Sequence, residues 1–129
     1  MTSAQVFESA TPIDAVLTRL VETQAWLTEL VADRHTADAV SEAARIDRIA
    51  QLERLQAGIE AAKSVEVVAF ARSRATEQVE AGVHPRKAGQ GIADEIALAC
   101  RVSPTEGSRR LHTARDLVLD MPHTLDLLV

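Results

Sequence analysis

The chain has almost no aromatic surface to offer. Phe7, Trp26 and Phe70 make up 2% of its 129 residues, and tyrosine is absent. Proteins that grip single-stranded nucleic acid by stacking bases need such platforms, so this composition argues against that class. Cys100 is the lone cysteine, which excludes an intrachain disulfide and a cysteine-based zinc site. No apolar run approaches the length of a membrane span. The opening residues lack the basic and apolar regions of a secretion signal, so a cytoplasmic protein without a membrane partner is the expectation.

Constellations that carry chemistry are equally scarce. His35, His84, His112 and His123 are scattered along the chain. His112 and Asp116 share a helix face, but a metal site needs a third ligand, so a surface pair is the simpler reading. Asp94 and Glu95 are adjacent on a helix and point apart, so they are unsuited to shared acid–base work. No serine sits in a nucleophile-elbow pattern. Cys100 falls on the apolar side of its segment and reads as an inert core thiol. The expectation is a protein that is not an enzyme, with no catalytic residues, no metal, no cofactor and no small-molecule substrate.

What is present is helical material. Hydrophobic residues make up 47% of the chain. Without aromatics the core rests on Leu, Ile, Val and Ala, which suits packed helices. The predicted fold class is all-α: a long antiparallel helical hairpin, a helix-turn-helix-like unit, and a truncated last helix. Residues 1–10 read as a flexible tail, and residues 11–82 as the hairpin. The first helix starts at Thr11-Pro12 and runs to about Asp33. Its apolar stripe comprises Ile13, Val16, Leu17, Leu20, Leu27, Leu30 and Val31. Trp26 lies off that stripe, facing either another element or another subunit. After a short connection at 34–38, residues 38–81 hold no proline and one glycine, Gly58. Ile49, Leu52, Leu55, Ile59, Val67 and Phe70 mark one face of this second helix. Unbroken, it spans roughly 65 Å. That length demands an elongated molecule, a bend near Gly58, or another partner for its far end. Glu53 and Glu66 interrupt any heptad, which favours a hairpin over a parallel coiled coil.

Residues 83–91 form a flexible basic loop rich in Gly and Pro, in which Arg86 and Lys87 suit a phosphate backbone. Residues 92–120 read as two helices around a tight connection. Ser103 is placed to cap the second helix, Pro104 to open it, and Glu106 to complete a capping box. Ile96, Ala97, Val102 and Leu111 match the apolar and small positions of a helix-turn-helix. Two residues depart from that pattern. Arg101 stands where glycine is usual, which is unfavourable if φ is positive. Gly107 stands where a branched apolar residue is usual, at a cost of about 1 kcal/mol in helix propensity. On this reading Pro104, Thr105 and Arg109 face base edges, with Arg109 suited to guanine. Ser103, Ser108 and Arg110 then hold phosphates. The same residues also fit a plain helical corner with a solvated arginine face. Residues 121–129 read as the start of a truncated helix opened by Pro122.

Charge separates along the chain. The total is −5, yet residues 83–115 carry six basic and three acidic residues. Residues 1–82 carry eight basic and thirteen acidic, and residues 116–129 carry three acidic and no basic ones. The positive charge therefore concentrates where phosphate contact is expected.

Three blocks resemble one family: ARIDRIAQLERLQA at 44–57, AGVHPRKAGQGIADEIALACRVSP at 81–104, and RRLHTARDLVLDMPHTLDLL at 109–128. They are similar to the N-terminal helical domain of unknown function, number two hundred and twenty-two, of actinobacterial HNH-endonuclease-like proteins, the thirteen-E-twelve repeat family. The step at 121–124, MPHT, is the most telling piece. The resemblance implies a helical DNA-associated module. The nuclease motif of that family lies farther along its chains, and this sequence lacks the clustered histidines and the asparagine of such a site. The resulting expectation is a DNA-binding helical module without the nuclease motif. The alternatives are a scaffold that homodimerises through the long helices, or a truncated gene product with no activity of its own.

Overall fold

The computed structural model describes residues 12–129 and is all-α: no strand occurs among the described residues. The tail expected at 1–10 lies outside them. Contacts divide the chain into two compact units that meet between Arg45 and Ile46, and each is described by itself.

The first unit holds helix α1, Pro12–Ala32, followed by a 3-10 turn over Asp33–Ala39. The expected loop at 34–38 is thus a tight helical turn. Within it Arg34 donates from Nη1 to the Val31 carbonyl at 3.2 Å, near the end of α1 where carbonyls lack helical partners. Most of the residues that helical spacing assigns to a buried stripe are exposed: Val16, Leu17 and Leu20 each keep nearly 60% of their surface, and Leu30 and Val31 are exposed too, whereas Leu27 is half-buried. Trp26 is exposed as well.

Helix α2, Glu42–Glu80, begins four residues later than its composition predicts. Ser41 sets that start, because its hydroxyl accepts the Ala44 N–H at 3.2 Å. The helix then runs unbroken through Gly58 for 39 residues, a length of about 58 Å.

The core of the second unit touches only the edge of the α2 face that its large aliphatic residues mark, at Val67, and is centred on the neighbouring face. Ala61, Val68 and Ala71 are buried, whereas Ile49, Ile59 and Phe70 are exposed. Against the buried face pack α3, Ile92–Cys100, and α4, Pro104–Arg115. Ala71, Ile92, Ile96 and Leu111 form the central cluster, with Val67 and Ala75 alongside. Two of the three buried residues on this face are alanines, so α2 contributes little apolar area of its own and Ile92, Ile96 and Leu111 supply most of the cluster.

Closest of all is the seam between α3 and α4. A Cβ placed on Gly107 would sit 2.5 Å from the Ala97 Cβ and 2.6 Å from the Ala93 carbonyl oxygen. No side chain fits there. The departure at Gly107 is therefore the device that lets the two helices touch, and its propensity cost is offset by packing. Arg101 shows the opposite relation. It adopts φ 55° and ψ 45°, the left-handed conformation in which a side chain is unfavourable. Its N–H donates to the Leu98 carbonyl and the Val102 N–H to the Ala97 carbonyl, which closes α3. The same two-bond closure ends α2, where Gly82 and Val83 donate to the Val79 and Gln78 carbonyls. Glycine makes the turn in one place and arginine in the other.

The loop before α3 is more ordered than its composition implies. Gln78 grips it with both ends of its side-chain amide. Its Oε1 accepts the Gly89 N–H at 2.6 Å, and its Nε2 donates to the Gln90 carbonyl at 3.0 Å. One turn earlier, Arg74 donates from Nε and Nη2 to the Glu95 carboxylate at 3.2 and 2.9 Å, tying α2 to α3. The pair is partly exposed, so solvent screens it and its role is to orient the two helices more than to stabilise them. Beyond α4 the backbone widens into a π-helical turn over Asp116–Asp120, and Pro122 opens α5, Pro122–Leu127.

Two glycines inside helices should respond oppositely to the same substitution. At Gly58 an added Cβ meets nothing nearer than the Leu128 carbonyl oxygen, at 4.0 Å. Gly58→Ala should therefore stabilise the chain by about 1 kcal/mol through helix propensity. Gly107→Ala should destabilise it by about 1–3 kcal/mol through overpacking. Urea denaturation followed by circular dichroism measures both, and equal signs would contradict the seam described above.

Candidate nucleic-acid interface

The expected contact residues gather on α4 and its cap. Ser103 is exposed and in extended backbone, φ −66° and ψ 157°, and its hydroxyl accepts the Glu106 N–H at 3.2 Å. The N-cap is thus as the sequence predicts, and the Ser103 oxygen is committed to its own helix. Pro104 occupies the first turn. Pro104, Thr105 and Ser108 are exposed. Gly107, Leu111 and Ala114 are the buried positions of the helix. With 100° between successive residues, Thr105, Arg109 and His112 stem from the side opposite to them, and the Arg109 side chain then turns back toward Glu106 and the cleft beside α2.

Glu106 departs from its expected role. A capping box requires its carboxylate to turn back to the Ser103 backbone. Instead it accepts from two arginines. Arg109 donates from Nε to Oε2 at 2.8 Å and from Nη2 to Oε1 at 2.6 Å, and Arg110 donates from Nε to Oε1 at 3.1 Å. Charge-assisted bonds to guanidinium outweigh a bond to a neutral amide, so the carboxylate goes to the arginines. These bonds, from Arg109 first and Arg110 second, hold the Glu106 carboxyl down to about 2. The same contacts raise both guanidinium groups above their ordinary value. The expected outward Arg109 is outward, with 68% of its side chain exposed, but it is held by its own helix. Arg110 is more enclosed, with 34% exposed.

Arg109 and Arg110 also line an open cleft of about 330 Å³ between α2 and α4, across from Lys63. Lys63 donates to Glu60 at 2.7 Å on the α2 wall. Sequence reasoning missed Lys63, because its placement opposite α4 depends on packing across some fifty residues of chain. Cys100 packs against the core cluster as its helix face predicts, and being half-buried it also reaches the cleft beside Arg110. His112 and Asp116 form the surface pair that their spacing implies, with Nε2 and Oδ2 3.4 Å apart. Arg86 and Lys87 are exposed in the loop ordered by Gln78. Among the described residues no hydrogen bond or ion pair joins those two to the α4 set. The structure therefore unites Arg109 and Arg110 and leaves the loop cations as a separate cluster.

Comparison with known proteins adds no relative: no family model, curated protein or solved structure matches the chain.

The double contact on Glu106 has a pH signature. A carboxyl held low in the folded chain and near 4.3 when unfolded adds stability that is complete above the higher value. That contribution disappears as the pH falls toward about 2. A carbon-detected titration of the Glu106 carboxyl should have its midpoint near 2, moving to the ordinary range in Arg109→Ala/Arg110→Ala. A midpoint above 4 in the parent chain would remove the ion-pair cluster.

Proposed function

We propose that the α3–α4 unit is a DNA-binding module in the manner of a helix-turn-helix, with α4 as the element that enters the major groove. The observation that carries this reading is the exposed face of α4. It holds Arg109 with its side chain outward, beside Thr105 and Ser108, on a helix whose opposite face is fully spent on packing. Such a helix presents side chains to base edges while its core face holds it at a set position. Ser103, Pro104 and Arg110 border this surface. Arg86 and Lys87, in the preceding loop, supply a second pair of cations for the phosphate backbone. The concentration of positive charge in residues 83–115 of an otherwise acidic chain supports the same assignment. So does the resemblance of residues 40–129 to the helical domain of HNH-endonuclease-like proteins. In this reading the chain is a non-catalytic, cytoplasmic DNA-associated module that needs no cofactor.

A second reading, self-association through the long helices, is favoured by one observation. Ile46 and Ile49, a turn apart on α2, keep 65% and 61% of their surface, and paired apolar exposure of this kind marks contact surfaces. The two readings are compatible, because dimeric helix-turn-helix proteins bind paired half-sites.

Fluorescence anisotropy with duplex DNA over a salt series tests the proposal. The net charge of the basic segment is small, so about three phosphate contacts are expected, and log K should fall with log salt at a slope of roughly −3. Arg109→Ala/Arg110→Ala should flatten that slope and weaken binding. Absent or salt-independent binding, with dimers in light scattering, would favour the second reading.

A further inference from the structure

We propose that Glu106 is a positioning residue that presents Arg109 to a guanine in the major groove of duplex DNA. The inference rests on the DNA-binding reading above and on the guanine expected for Arg109, and adds the residue that makes that reading selective.

A guanidinium has five N–H donors on three nitrogens. Glu106 occupies one edge of Arg109, the edge made by Nε and Nη2, through bonds of 2.8 and 2.6 Å. That leaves the terminal edge, formed by Nη1 and the second hydrogen of Nη2. No protein acceptor meets this edge among the described residues, and 68% of the side chain is exposed. It presents two parallel donors. In the major groove, guanine alone offers two adjacent acceptors, N7 and O6. Adenine pairs one acceptor with a donor, thymine offers a single acceptor beside a methyl group, and cytosine offers a donor. The free edge of Arg109 therefore matches one base of the four.

The carboxylate does two further things. It fixes a long side chain that otherwise samples many rotamers, so less entropy is lost when the base is bound. It also offsets one of the two positive charges on Arg109 and Arg110, which lowers sequence-independent attraction to phosphate. Arg110 completes the arrangement from the other side. Its Nε donates at 3.1 Å to the same Oε1 that receives Nη2 of Arg109, which keeps the carboxylate from swinging away. Two arginines flanking one glutamate thus act unequally: the exposed one reads and the half-buried one braces.

Selection from a pool of random-sequence duplex DNA, with sequencing of the bound fraction, tests this. The parent chain should enrich a motif with one position fixed as guanine. Glu106→Gln keeps size and helix preference, and its fold is checked by circular dichroism. It should lose about tenfold or more in discrimination at that guanine, while binding to unselected duplex is retained or strengthened. Arg109→Ala, which leaves Glu106 in place and removes the fork, should lose the same guanine if Glu106→Gln fails to fold. Full retention of the guanine preference in either variant overturns the proposal while DNA binding stands. An equal fall in selected and unselected binding for Glu106→Gln overturns it too. Salt-independent or absent binding by the parent chain overturns both this inference and the reading beneath it.

Discussion

The approach of α4 to α3 at Gly107 governs the geometry of the second unit. Where the Cβ of any other residue would collide with Ala97 and with the Ala93 carbonyl, the two backbones lie in direct contact. That contact sets the rotation of α4 about its own axis. Once Gly107 faces α3, Leu111 and Ala114 follow it into the interior, and Thr105, Arg109 and His112 are turned away from it. The surface chemistry of α4 is therefore a result of which residue has no side chain. A larger residue at 107 would push the helices apart, and the arginines beside it would move with the displaced helix.

The remaining fastenings of this unit are polar and lie at its edges. Arg74 ties α2 to Glu95 at the start of α3, and Gln78 holds the preceding turn by its backbone. Both side chains come from the last two turns of α2. They act on a segment that approaches α2 only after the chain has reversed. The cationic loop with Arg86 and Lys87 thus gains its order from a residue that carries no charge.

Local chemistry was legible in the sequence, and contacts across the fold were not. The cap at Ser103 and the opening at Pro104 depend on neighbours within three residues, and both stand where the pattern places them. The left-handed turn at Arg101 was also foreseeable, since two helices that meet across so few residues need such a turn. Gly107 was read as a cost because propensity considers one helix at a time, while its benefit lies on the other helix. Periodicity marked the large aliphatic face of α2, yet burial went to Ala61, Val68 and Ala71. A scale that ranks residues by size does not see which face of α2 the later helices α3 and α4 will cover. Glu106 satisfied the pattern of a capping box, but two arginines within four residues offered it stronger donors. Gln78 gave no signal, because its partners lie eleven and twelve residues away.

Alanine and glycine have no side-chain rotamers to lose on folding. A seam made of Ala93, Ala97 and Gly107 therefore locks without the motional cost that leucines would incur, and it also has no alternative way to interlock. A side chain gained at 107 would therefore shift every group on the outer side of α4 together, because the helix is displaced as one body.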